Sequence, residues 1–275
     1  MPSPVSPENI ATRAPSLRIL QLTDPHLMAD PEGTLLGMNT RESLDAVIAL
    51  AKREPHAPDL VIASGDIAQD SSETAYRVFQ EKMSVYSCPV IWFPGNHDDV
   101  EVMHEVIAGT NAEQRRLLVG GWQLIFLNSA VPGKVYGALS SGELSFLNDC
   151  LAEHPERPTL IAFHHHPVDV NCTWMSQIGL TNSDALMAVL EGQSQVRALL
   201  WGHIHQTWDG ELNGMRLMAT PSTCIQFAPG SNEFSIDGQA PGYRWIDLYP
   251  DGTLDTHVRR AEDYVFTVDL DSQGY

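Results

Sequence analysis

Short continuous apolar runs recur along the first three quarters of the chain, and the stretches between them carry their apolar residues at helical spacing. Arg18-Ile19-Leu20-Gln21-Leu22 reads as a first strand. A loop rich in Gly and Pro leads to Thr40, the expected N-cap of a helix with Glu42 and Ser43 in its first turn and Leu44, Val47, Ile48 and Ala51 on one face. Pro55 and Pro58 end that helix. Strands follow over 59–63, 90–93, 122–127, 159–163 and 197–201, with helices expected over 71–85 (capped by Ser71 or Ser72), 100–108 and 141–152, and from Asn182 or Ser183 to Leu190. After position 205 the helical period is lost. Alternating segments over 207–212, 215–219, 243–249 and 254–258, set apart by Asn-Gly, Pro-Gly and Asp-Gly pairs, predict antiparallel strands. The class is α/β, with sheets that carry helices on their outer faces. Residues 1–16, rich in proline and small polar residues, read as a disordered tail, and 17–275 as a single domain.

Five of the apolar runs end in residues that are costly in a core and useful in a site. They deliver Asp24-x-His26, Gly65-Asp66, Gly95-Asn96-His97-Asp98, His164-His165-His166 and His203-x-His205. In an open α/β sheet the carboxyl ends of strands converge on one edge, where binding sites form. Singly, Asp24 and Asp66 read as strand-exit turn residues as readily as ligands. His203 and His205 are expected to point to one face of an extended segment, and at most one or two of the three adjacent histidines can serve one ion. Gly95 is expected to permit a tight turn. Together, two carboxylates, an amide and at least four imidazoles exceed what one tetrahedral ion can use. Two ions fit better. Mixed oxygen and nitrogen donors suit Mn, Fe, Zn or Co, and one carboxylate can bridge ions roughly 3.5–4 Å apart.

Charge and cysteine content narrow the reading. The 275 residues hold 16 Lys+Arg against 35 Asp+Glu, a net charge of −19, which disfavours long nucleic acid. Cys88, Cys150, Cys172 and Cys224 lie far apart, as reduced structural thiols do. No apolar stretch approaches the roughly 20 residues that span a bilayer, and 1–16 lacks the core of a signal peptide, so a soluble cytoplasmic protein is expected.

The series D-x-H, GD, GNHD, a His after a strand, and GH-x-H resembles the calcineurin-like metallophosphoesterase superfamily. Further stretches, among them Gly65-Asp66-Ile67-Ala68-Gln69-Asp70, Ala219-Thr220-Pro221-Ser222-Thr223-Cys224 and Ala240-Pro241-Gly242-Tyr243-Arg244, are similar to its bacterial class III 3′,5′-cyclic-AMP phosphodiesterases over about residues 18–270. The resemblance implies a four-layer sandwich, two mixed β-sheets flanked by α-helices. It implies that Asp24, His26 and His205 hold one divalent ion, that Asp66 bridges, and that Asn96, His164 and His203 hold the other, with Fe or Mn as the metals. The usual His-His-Pro-Pro reads His-His-His-Pro here, with His166 in place of a proline. The implied reaction is in-line hydrolysis of cyclic AMP to 5′-AMP by a hydroxide shared between the ions, lowering cellular cyclic AMP. Substrate contacts are expected from His26, Asp66, Asn96, His97 and His205. His97 would protonate the leaving 3′ oxygen, and Asp98 would orient it.

Related protein phosphatases carry Asp-Arg where this chain has Gln69-Asp70, and the missing cation suits a singly charged diester. Glycerophosphodiesters, 2′,3′-cyclic nucleotides and a non-catalytic scaffold are the alternatives. Residues 222–243 read as a lid over the site or as a surface hairpin loop, and a monomer or weak dimer is expected.

Overall fold

The computed structural model describes residues 16–272 and 274. The tail expected over 1–16 lies outside the described residues up to position 15. Ser16 is buried and its Oγ donates to Asp247 Oδ1 (3.5 Å), so it belongs to the domain rather than to the tail.

The strands in chain order are β1 (Leu17–Leu22), β2 (Thr34–Leu35), β3 (Met38–Asn39), β4 (Leu60–Ala63), β5 (Val90–Trp92), β6 (Arg116–Val119), β7 (Trp122–Phe126), β8 (Thr159–Ala162), β9 (Val196–Trp201), β10 (Trp208–Leu212), β11 (Met215–Ala219), β12 (Gln226–Phe227), β13 (Ile236–Asp237), β14 (Gly242–Leu248) and β15 (Leu254–Arg260). The helices are α1 (Thr40–Ala51), α2 (Glu73–Met83), α3 (Val100–Ile107), α4 (Ser141–Glu153) and α5 (Ser183–Leu190).

One sheet runs β15-β14-β1-β4-β5, parallel across β1, β4 and β5 and antiparallel beyond β1. The other runs β10-β11-β9-β8-β7-β6, parallel from β11 to β7 with antiparallel edges. Both sheets are mixed.

The period of two explains why the central strands read as unbroken apolar runs. Leu17 and Ile19 of β1 and Leu60 and Ile62 of β4 enter the core between the sheets, where Leu160 and Ala162 of β8 and Leu200 of β9 meet them. Their neighbours Leu20, Leu22, Val61 and Ala63 face α1, α2 and α3 in a second core, and Ile161 and Leu199 face α4 and α5 in a third. Strands covered on both faces need apolar residues at every position. The result is the four-layer sandwich, helices outside and two sheets within. Gln21, fully buried at the end of β1, ties the sheets together beneath the site: its Nε2 donates to Ser64 Oγ (2.7 Å) and Trp201 O (3.1 Å).

Local structure departs from expectation at several ends. Asn39, not Thr40, caps α1: its extended backbone lets Oδ1 accept the N–H groups of Arg41 (3.0 Å) and Glu42 (3.1 Å), while Thr40 is already helical and buried. Ser72 caps α2. Asn182 stands at the N-cap of α5, but its amide is spent on the Leu139 backbone, accepting from N (2.9 Å) and donating to O (2.7 Å). Strand β6 and the β2–β3 pair have no counterpart in the sequence reading, whereas the β12–β13 pair falls in the stretch 222–243 read as a lid or a hairpin loop. Among the described residues no helix is long and apolar enough to cross a membrane.

Candidate metal centre

The five strand exits meet at one edge of the two sheets. One donor atom each from Asp24, His26 and His205, from Asp24, Asp66 and His164, and from His164, His165 and His203 lies within 4.8 Å of its partners, so each trio could hold a cation. Asp66 Oδ2 is 3.3 Å from His164 Nε2 and 3.8 Å from His26 Nε2, and Asp24 Oδ1 is 3.3 Å from His205 Nε2. His26 Nε2 and His205 Nε2 are 3.1 Å apart.

These residues leave their strands in tight left-handed turns. Asp24, His26, Asp66, His203 and His205 have φ of 53°, 47°, 50°, 66° and 48°. Such backbone costs about 1–3 kcal/mol at a non-glycine residue and concentrates at functional sites. It also corrects the extended reading of His203-x-His205. The two imidazoles part, His205 toward Asp24 and His26, His203 toward His164 and His165.

Glycines in the motifs serve close approach. A Cβ on Gly95 would collide with the Asp66 carboxylate and sit 2.5 Å from Asp66 N and 2.7 Å from His164 Cε1; one on Gly202 would sit 2.7 Å from Asp24 Oδ2. Gly95 is absent from the positive-φ residues, so the tight turn that Asp98 N closes on Gly95 O (3.4 Å) does not need left-handed backbone there, and the glycine makes room. Gly95→Ala should therefore cost one or both ions while the sandwich persists, checked by metal analysis alongside circular dichroism. Two ions retained at wild-type affinity would sink that account.

Each imidazole is anchored behind. His164 Nδ1 donates to Ser64 O (2.7 Å), His205 Nδ1 to Ile225 O (3.0 Å), His203 Nε2 to Ile178 O (2.9 Å), and His26 Nδ1 meets Gln69 Oε1 (2.6 Å). A ring that spends one N–H outward presents its other nitrogen as a lone pair inward. The buried atoms without a hydrogen-bond partner include Asp66 Oδ2, Asn96 Oδ1, His164 Nε2 and His203 Nδ1. Four orphaned acceptors from four different loops are what a cation would satisfy.

His165 differs. Ser129 Oγ accepts the N–H groups of His164 (3.2 Å) and His165 (3.3 Å), so its own proton goes to His165 Nδ1 at 2.8 Å. This arrangement favours the His165 proton on Nε2, which makes His165 the poorest donor of its trio, although the position of its ring admits it.

Burial drives His26 down to about 3 and, with the neighbouring imidazoles, holds His203 well below its usual range, so both rings are neutral donors. Burial also opposes ionisation of Asp66, but His164 and His97 outweigh it and keep the carboxylate well below the usual range. His164 moves the other way. Burial would lower it, yet Asp66 and Asp24 raise it to about 9, the response of an imidazole in a site built for positive charge.

Asp98, expected to orient His97, also holds main chain. Its carboxylate accepts the N–H groups of Gly95 (2.8 Å), Ala68 (3.0 Å) and Ile67 (3.2 Å) and so stitches two ligand loops together. The half-exposed His97 stands edge-on to His26 with ring centroids 4.9 Å apart, and its N–H donates to Asp66 Oδ1 (2.9 Å). Its imidazole comes within 4.8 Å of His26 and Asp66 donor atoms, so geometry alone also admits it as a ligand. Within 222–243, β12 and β13 form a hairpin whose buried Phe227 stacks on the His205 ring at 4.3 Å. Ser129 had no place in the sequence reading of the site, and neither the Gln69–His26 bond nor the Phe227–His205 stack could be read there.

Two mixed sheets between helices, with acidic and imidazole donors gathered at one edge, describe a metal-dependent phosphoesterase. The calcineurin-like phosphoesterase family matches residues 17–207, and the chain belongs to it. It is 44% identical over 260 residues to the 3′,5′-cyclic adenosine monophosphate phosphodiesterase CpdA of Pseudomonas aeruginosa, covering 94% of this chain and 96% of that one. The Escherichia coli K12 protein of the same name is 44% identical over 261 residues, 94% of this chain and 95% of its own. Among solved structures a dimetal phosphatase of Danio rerio superposes with a TM-score of 0.69 over 93% of this chain and 99% of that chain; at 15% identity this is a likeness of fold.

Proposed function

We propose that the protein hydrolyses 3′,5′-cyclic AMP to 5′-AMP at a centre of two divalent ions. One ion is held by Asp24, His26 and His205, the other by Asn96, His164 and His203, and Asp66 is shared. The observation that carries this reading is a cluster of buried polar atoms without a hydrogen-bond partner, Asp66 Oδ2, Asn96 Oδ1, His164 Nε2 and His203 Nδ1, beside an Asp24–His26–His205 trio. Fe or Mn suits mixed nitrogen and oxygen donors, and no cysteine enters any donor group found among the described residues. When bound, such a pair supplies Lewis acidity and lowers the pKa of water toward neutrality.

The chain's own groups orient the substrate. His26, Asp66, Asn96, His97 and His205 would contact the phosphate, and His97, half-exposed, would deliver a proton to the leaving 3′ oxygen. A diester is favoured because the place of a phosphatase cation is filled otherwise: Gln69 meets His26, and Asp70 accepts the Ala29 N–H (2.8 Å). The substrate class follows the activity for which the Pseudomonas aeruginosa and Escherichia coli relatives are named. The same reading includes a cytoplasmic monomer or weak dimer, which fractionation and sedimentation would test.

Turnover of cyclic AMP, cyclic GMP, 2′,3′-cyclic AMP and a glycerophosphodiester by protein reconstituted with Mn or Fe tests the proposal. The expected result is metal-dependent hydrolysis with the highest kcat/KM for cyclic AMP. Equal kcat/KM across the diesters would favour a broad phosphodiesterase, and no hydrolysis with both ions bound would leave only a scaffold.

A further inference from the structure

Four imidazoles point one nitrogen into the centre, and three of them are oriented by main chain. His164 rests on Ser64 O, His205 on Ile225 O and His203 on Ile178 O, at 2.7, 3.0 and 2.9 Å. A peptide carbonyl only accepts, so these tautomers are fixed by the fold itself. His26 is oriented by a side chain, the amide of Gln69 at 2.6 Å.

We infer that Gln69 is a positioning residue that holds His26 with its proton on Nδ1 and thereby sets the affinity for the ion His26 would bind. The inference rests on the two-ion reading above. Gln69 is well placed for the task, because its segment is locked beside the His26 loop: His26 N donates to Asp66 O (3.0 Å), Leu27 N to Ile67 O (2.9 Å) and Gln69 N to Leu27 O (2.8 Å). The His26 ring in turn needs a hold, since its backbone is in the left-handed region with φ 47°.

The amide can also undo the arrangement. Turned over, it would donate to Nδ1 and move the imidazole proton to Nε2, the atom 3.1 Å from His205 Nε2, so the inward lone pair would be lost. Outer partners that fix a ligand imidazole typically contribute ten- to a hundredfold in metal affinity.

The test is calorimetric titration of metal-depleted full-length protein with MnCl2, with no substrate present. Gln69→Met keeps the length of the side chain without the acceptor, and it should weaken one of two Mn2+ equivalents by about ten- to a hundredfold while the other is unchanged. Gln69→Glu, whose carboxylate only accepts, should bring that equivalent back to wild-type affinity or tighter. Gln69 is half-exposed, and thermal melting without metal checks that both variants fold as the parent does. Unchanged affinity in Gln69→Met, equal weakening in Gln69→Met and Gln69→Glu, or loss of both equivalents together would overturn the inference. The wild-type titration reports separately on the underlying reading: uptake of two equivalents supports it, and uptake of none refutes it whatever the variants do.

Discussion

Asp66→Asn is expected to abolish turnover of cyclic AMP, by about three orders of magnitude or more, in a protein that still folds. The substitution is close to isosteric, and the amide oxygen can keep the place of Oδ1, which accepts the His97 N–H at 2.9 Å. What changes is Oδ2. It faces His164 Nε2 at 3.3 Å and His26 Nε2 at 3.8 Å, one ring from each proposed ion. An amide nitrogen there has no lone pair to give, and the negative charge that offsets two dications is gone. Metal ions contribute several kcal/mol to the transition state of such displacements, and each 1.4 kcal/mol is tenfold in rate. On the shared role proposed for Asp66 both ions should weaken, whereas Asn96→Ala should weaken one. Metal analysis after dialysis and steady-state kinetics check this. A variant that keeps two ions and turns over within tenfold of the parent would mean that Asp66 does not bridge.

The sequence disclosed the strand ends that carry candidate donors more fully than the connections around them, for a physical reason. A strand buried on both faces must be apolar throughout, so a carboxylate or imidazole at its exit stands out against Leu60-Val61-Ile62-Ala63 or Thr159-Leu160-Ile161-Ala162. The conformation of those exits was hidden, since left-handed φ at His203 and His205 comes from the packing of the turn and not from composition. Edge strand β6 was partly legible. Gly120 and Gly121 both have positive φ, and a Gly-Gly pair between two apolar segments is a hairpin signal that the reading did not use. The outer partners were not legible at all. Gln69 is 43 positions from His26, and Ser129 is 36 from His165, so only the assembled sheets bring them together. Those partners favour His164 over His165 as a donor, as the resemblance implies, and the residues alone give neither ring its tautomer.

His97→Ala should lower kcat for cyclic AMP by about 10²–10⁴-fold, the usual contribution of a placed general acid, while both ions remain. The structure sets up a sharp alternative. The His97 imidazole approaches donor atoms of His26 and Asp66 within 4.8 Å, so it could instead act as a ligand. The two roles separate on the leaving group. The 3′ alkoxide of cyclic AMP is a strong base and needs a proton as the P–O bond breaks, whereas p-nitrophenolate leaves without one. A proton donor predicts that His97→Ala loses far less activity on bis-p-nitrophenyl phosphate than on cyclic AMP, with metal content unchanged. A ligand predicts equal losses on both substrates and a missing ion. The exposure of His97 fits the first role, because a group that must regain a proton each cycle needs contact with water, and the anchored rings proposed as ligands, His26, His164, His203 and His205, are all buried. Since Asp98 is occupied by three backbone N–H groups, Asp98→Asn should act mainly on stability and loop order rather than on the leaving-group dependence. If Asp98→Asn reproduced the leaving-group pattern of His97→Ala, the pair would act as a unit after all.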